Sequence, residues 1–248
     1  MPRERVLGAE VDVIPIDELI RVVSAAVRER RRLTVANHNL HSAYLVLDDE
    51  LMQRWYERAD VVFVDGMSLV AASRLGGGPL RRHHRATVLD WMPAVLDAAA
   101  VDGRHVFHLG GHPDWIEVGA EAWRARHPGL RLSTHHGFFP PERSSAVVAA
   151  INDTAPDLLL VGMGMPTQER WLASHLEELE VPVVVAVGAF LAYAAGATSQ
   201  PPRWLGQVGL EWAWRLAADP RRLARRYLVE PALLALALRR RARRAPGA

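Results

Sequence analysis

The residues able to do chemistry in this chain stand where short apolar runs end. Leu158 to Val161 is one such run, and Gly162-Met163-Gly164-Met165-Pro166-Thr167-Gln168-Glu169 follows it. Gly162 and Gly164 permit a tight turn that lies close to a ligand. Pro166 suits the first turn of a helix, where a missing N–H costs nothing. Gln168 and Glu169 then fall beside helix-start amides, which attract anions. Strand, glycine turn and polar helix start form the ligand-binding edge of open α/β sheets. An ordinary β–α connection has the same spacing, so the pattern alone leaves both readings open.

A second run, Val61 to Val64, ends at Asp65-Gly66. A carboxylate at the carboxyl end of a buried strand stands where α/β enzymes place chemistry. The competing role is a cap on a helix beginning near Met67. Leu33 to Ala36 leads into Asn37-His38-Asn39, where Asn39 is a plausible helix cap. Gly76-Gly77-Gly78-Pro79 precedes Arg81-Arg82-His83-His84-Arg85, which is either a solvated turn or an anion-binding loop. His105 to Leu109 ends at Gly110-Gly111, another strand–glycine–helix junction.

What is missing narrows the chemistry. The 248 residues include no Cys, which removes disulfides, thiolate metal sites and a Cys nucleophile. All 30 basic residues are Arg, so neither a Schiff-base lysine nor a phosphate-loop lysine is available. There is no GxSxG and no HExxH. His105 and His108 point to opposite faces of one strand and do not pair as metal ligands. No Asp-x-Asp follows a buried strand, so no metal is expected at the site. The net charge of +2 hides an asymmetry. From Arg221 onward nine Arg face Glu230 alone, leaving the rest of the chain at −6. A mildly acidic body with a basic tail fits a tail that meets an anionic surface. It does not fit nucleic-acid binding, for which no motif is present. No apolar signal core or membrane-length run is found, so a cytosolic chain is expected.

The elements that must position these residues alternate β and α. Val6 to Ile14 reads as an edge strand and Ile16 to Arg28 as an amphipathic helix. Strand Leu33–Ala36 precedes a helix from Leu40 to Tyr56, and a helix from Leu89 to Ala100 follows the basic cluster. Strands at His105–Leu109, Leu130–Thr134, Leu158–Val161 and Val183–Val187 complete the alternation. This predicts a parallel, Rossmann-like α/β sheet with helices on both faces. Pro201-Pro202 breaks the pattern. Residues 1–200 are thus expected to form the catalytic domain, and 201–248 a helical, Arg-rich appendage that opens with a Trp-rich helix from Trp204 to Ala217.

Several of these segments together resemble the WecG/TagA/CpsF family of bacterial glycosyltransferases. They are Ala59-Asp60 through Asp65-Gly66, Phe107-His108-Leu109-Gly110-Gly111, Gly137-Phe138-Phe139, Gly162 through Trp171, Gly209 through Leu216, Asp219-Pro220-Arg221 and Arg226-Tyr227. The resemblance implies an inverting transferase without metal or other cofactor. It would move an N-acetylmannosamine-type sugar from a UDP donor to a lipid-diphosphate-linked N-acetylglucosamine, in teichoic acid or surface polysaccharide synthesis. It implies Asp65 as general base, with Asn37 as a second catalytic residue. Asn39, Arg85, Gly110, Gly164, Gln168 and Glu169 would bind substrate, with Arg85 on the diphosphate. Arg215, Arg221, Arg222 and Arg225 would face acceptor or membrane, placing the protein peripherally on the inner face of the cell membrane. The chain departs from the family pattern at Asn37, Val88, Ala192 and Gln200. Those departures leave open another nucleotide sugar, a soluble acceptor, or a non-catalytic nucleotide-sugar-binding protein. A homo-oligomer also stays open.

Overall fold

The computed structural model describes residues 1–244. Its strands are β1 (Arg3–Val6), β2 (Ala9–Asp12), β3 (Leu33–His38), β4 (Val61–Val64), β5 (His105–Gly110), β6 (Arg131–His135), β7 (Leu158–Gly162) and β8 (Val183–Ala186). Six of them form one parallel sheet in the order β4-β3-β8-β7-β5-β6. The helices of this part are α1 (Ile16–Glu29), α2 (Leu40–Leu45), α3 (Glu50–Arg58), α4 (Met67–Leu75), α5 (Val88–Val101), α6 (Ile116–Arg126), α7 (Ser144–Asp153), α8 (Thr167–His175) and α9 (Phe190–Ala194).

The sheet is covered on both faces, and its strands show why. Leu159 and Val161 of β7 pack into one core with Val184 and Ala186 of β8, while Leu158 and Leu160 face a second core with Val183 and Val185. Continuous apolar runs are what a strand buried on both sides requires. The α/β, Rossmann-like expectation holds.

Three expected elements differ. The N-terminal segment is an antiparallel β1–β2 hairpin outside the main sheet, not an edge strand. It still protects the β4 edge, because Val62 N donates to Asp12 Oδ2 at 2.8 Å. The helix expected from Leu40 to Tyr56 is two helices. Asp49 starts the second by accepting from Leu51 N and Met52 N, each at 3.1 Å. The Trp-rich helix is also split, into α10 (Arg203–Val208) and α11 (Glu211–Ala218), because Gly209 adopts a left-handed φ of 77° between them.

After α11 the chain continues through α12 (Pro220–Ala224), a π-helical turn at Arg225–Val229, and α13 (Glu230–Arg244). Leu234 of α13 is buried with Ala43 of α2 and with Leu47. The Glu230 carboxylate lies 2.5 Å from His41 Nδ1. Burial, reinforced by Arg226, holds His41 below its ordinary range, so the neutral ring can donate to the carboxylate. No described helix is long and apolar enough to cross a membrane.

Candidate active site

The carboxyl ends of β3, β4, β7 and β8 converge. Asp65 N donates to His38 O at 2.8 Å, which places Asp65 next to the end of β3. Asn37 Nδ2 and Asn39 Nδ2 then donate to the same Asp65 oxygen, Oδ2, at 3.3 and 3.4 Å. Among the described residues, Oδ1 accepts no hydrogen bond. The carboxylate is held by one oxygen while the other stays free to take a proton. Asp65 does not cap α4. The residue before that helix is Gly66, with φ at 129°, and no side-chain cap bond forms there.

Asn39 has two tasks. Its Oδ1 accepts from His41 N and Ser42 N at 3.0 and 3.1 Å, capping α2, while its amide nitrogen reaches Asp65. The cap and the substrate-side roles expected for it are compatible.

Arg85 is set by main chain. Arg85 and Val64 form a parallel bridge, and Ala86 N donates to Val64 O at 2.8 Å. The segment after the basic cluster therefore continues the sheet beyond β4 and brings Arg85 close to Asp65. Arg81, Arg82 and His83 remain exposed. The Arg85 guanidinium is 2.5 Å from Glu211 Oε2 of α11 and 3.7 Å from Asp90. Gly206 leaves room beside it, because a Cβ there would come within 2.8 Å of Arg85 Nη2 and push the guanidinium aside.

Two cavities adjoin Asp65. One is lined by Asn37, the Gly164 and Gly188 turns, Gln168 and Tyr193. The other lies between the start of α4, Arg85 and the C-terminal helices, with Trp212 and Pro231 on its wall. Asn39, Asp65, Arg215, Arg226 and Tyr227 border both. Arg215 and Arg226 are half-buried, and among the described residues the buried Nε–H of each has no partner. A buried, unanswered guanidinium N–H is costly unless an anion reaches it.

A model of the glycosyl transferase WecG/TagA/CpsF family matches residues 4–247. The chain belongs to this family. It is a glycosyltransferase. Its relatives include the N-acetylglucosaminyldiphosphoundecaprenol N-acetyl-beta-D-mannosaminyltransferases of Staphylococcus aureus strains NCTC 8325, COL and MSSA476. Each is 32% identical over 185 residues, spanning 75% of this chain and 68% of the relative.

Not every residue that the WecG/TagA/CpsF resemblance nominates lines one of these two cavities. Gly110 does not. A Cβ on it would stand 2.3 Å from the Gly162 carbonyl carbon, so it serves close packing of β5 on β7. Glu169 is fully buried behind Gln168. The helix start at α8 is less open to anions than its sequence suggests. Pro166 has no N–H, Gln168 N donates to Gly164 O at 3.0 Å, and Gly164 N donates to Gln168 Oε1 at 3.2 Å. Arg221, Arg222 and Arg225 are exposed, with Arg222 paired to Asp219 at 2.6 Å and edging the first cavity. Arg215 instead turns inward to the cavities. Of the four departures from the WecG/TagA/CpsF pattern, Asn37 and Val88 line the first cavity, and Ala192 and Gln200 line neither.

Arg226, Tyr227, Tyr193 and Glu211 were not singled out from sequence as site residues. The Arg-rich run gives no clue to which arginines turn inward, because the π-helical turn shifts the helix face at Arg225–Val229. Such turns are frequent at functional sites.

Proposed function

We propose that the chain transfers an N-acetylmannosamine-type sugar from UDP to an N-acetylglucosamine carried on a lipid diphosphate, with inversion and without metal. The relatives' names supply the sugar, the acceptor and its undecaprenol lipid. One observation carries the mechanism: two cavities meet at a single carboxylate, with buried, unpartnered arginine N–H groups at their common border. Transfer between two substrates needs such a junction.

In this reading the donor sugar occupies the first cavity, between the β7 and β8 turns, and its diphosphate crosses the common border toward Arg85. The acceptor sugar enters the second. The acceptor hydroxyl oxygen attacks the anomeric carbon as the bond from that carbon to the UDP oxygen breaks. Asp65 Oδ1 takes the hydroxyl proton, and the bond's electron pair leaves on the β-phosphate. Arg85, Arg215 and Arg226 provide the fixed positive charge that a metal supplies elsewhere.

Residues 1–200 would then be the catalytic body and 201–248 an appendage that completes the site and rests on the inner membrane face, in the cytoplasm. Trp204, Trp212, Trp214, Leu228, Leu233 and Leu236 are exposed, alongside Arg221 and Arg225. Aromatic, apolar and cationic side chains together suit a membrane interface. Asn37 and Val88 on the first cavity also favour a second reading, a related nucleotide sugar as donor. UDP release should be measured with a panel of UDP-sugars and a lipid-diphosphate N-acetylglucosamine analogue. Turnover requiring that analogue supports the proposal. Turnover with none of the donors removes it.

A further inference from the structure

Glu169 has no place in the chemistry above, yet its burial needs a reason. The side chain is fully inaccessible, and among the described residues its Oε2 has no hydrogen-bond partner. A carboxyl buried in this way destabilises a core that a leucine would fill without cost. Its other oxygen, Oε1, accepts from Gln168 Nε2 at 2.7 Å. At the opposite end of the same side chain, Gln168 Oε1 accepts from Gly164 N at 3.2 Å and Gly188 N at 3.1 Å. These two glycines form the turns after β7 and β8, and both line the first cavity.

A glutamine amide has nearly the same shape either way round, with donors on one side and an acceptor on the other. Reversed, its NH2 would oppose two glycine N–H groups. An acceptor behind it fixes the productive orientation, and Glu169 is that acceptor.

We infer that Glu169 is a positioning residue: by holding the Gln168 amide, it clamps the Gly164 and Gly188 turns and so fixes the cavity wall that faces Asp65. Its kinetic consequence rests on the transferase reading, but the clamp itself does not.

The test uses the full chain with two substitutions at one site. Glu169→Gln keeps a carbonyl acceptor, and Glu169→Met removes it at similar volume. Amide hydrogen exchange at Gly164 and Gly188 should rise about tenfold or more in Glu169→Met and stay within about threefold in Glu169→Gln, as loss of a buried partner predicts. The KM for the nucleotide sugar should rise about tenfold in Glu169→Met, with a smaller change in kcat, and return in Glu169→Gln. Should Glu169→Met fail to fold, Gln168→Leu cuts the clamp at its other end and should give the same exchange at both glycines. Wild-type exchange in the folded variant overturns the inference. So does a Glu169→Gln enzyme as impaired as Glu169→Met, since the carboxylate itself would then be needed. If no nucleotide sugar turns over with the wild type, the transferase reading fails while the exchange comparison still decides the clamp.

Discussion

Arg85 and Glu211 meet at 2.5 Å across 126 residues of sequence. The contact joins a sheet-edge arginine to α11 in the C-terminal helical segment. It also means that the cation proposed for the diphosphate already has a carboxylate beside it. Arg85→Ala should weaken UDP binding by about tenfold or more, as expected for loss of a charge-assisted contact. Glu211→Gln should leave it equal or tighter, because the guanidinium is released. Calorimetric titration of UDP separates the outcomes. If both substitutions weaken binding alike, the pair is a structural clasp and not a ligand site.

Asp65→Asn should lower turnover by roughly 10²–10⁴-fold, the range for losing a general base. The new side chain can place its carbonyl oxygen where Oδ2 stood and still accept from Asn37 and Asn39, so the melting curve should stay close to wild type. Turnover within a few-fold of wild type in a folded variant would remove Asp65 from the role.

Glu169 also makes stability depend on pH. Burial pushes its carboxyl up to about 7, above the ordinary 4.5; the bond from Gln168 and the charge of Arg226 moderate the rise, and Asp49 adds to it. The folded value is the higher one. Its contribution to stability is therefore complete below pH 4.5 and is lost as pH climbs through about 7. Glu169→Gln should gain on the wild type as pH increases, by about 3 kcal/mol between pH 5 and 8 from a shift of this size. Burial holds His38 and His108 near 4, and they act in the opposite sense. Their contribution is present above about 6.5 and lost as pH falls toward 4. Comparing variant with wild type at each pH cancels them. Denaturant melts across that range are the measurement, and a flat difference would show that the carboxyl is not titrating in this window.

Much of the fold is legible in the sequence because buried parallel strands leave runs such as Val61 to Val64 and Val183 to Val187, with turn glycines after them. Asp65 is legible for the same reason: its place follows from where a strand stops. The inward turn of Arg215 and Arg226 is not. That depends on how α11, α12, the π-helical turn and α13 fold against one another and how α13 packs on α2, and packing of this kind has no local signature in an Arg-rich segment. Nor does Gly162-Met163-Gly164 reveal that Gln168 satisfies the Gly164 amide, because a side chain closing on its own turn leaves the same residues in the same order.

Membrane attachment can be tested without truncation. Arg221→Glu with Arg225→Glu should weaken co-sedimentation with anionic vesicles at low salt, each arginine contributing about 1 kcal/mol near such a surface. Binding to neutral vesicles should change little. Turnover on a soluble acceptor analogue should hold if these two residues only anchor. Unaltered co-sedimentation with anionic vesicles would remove them from the contact.

Asn39 and His41 stand two residues apart. One completes the hydrogen bonding of Asp65, and the other grips Glu230 of α13. A single helical turn thus serves both the reacting edge and the dock for the C-terminal helices. Inserting one residue between them would swing His41 about 100° around the helix, away from Glu230. Length changes are tolerable at surface turns such as Gly76–Pro79, but here the spacing itself is the constraint. Grafting a different C-terminal segment onto this body would therefore succeed only if the graft presents a partner to His41 in register, whatever its own affinity for lipid.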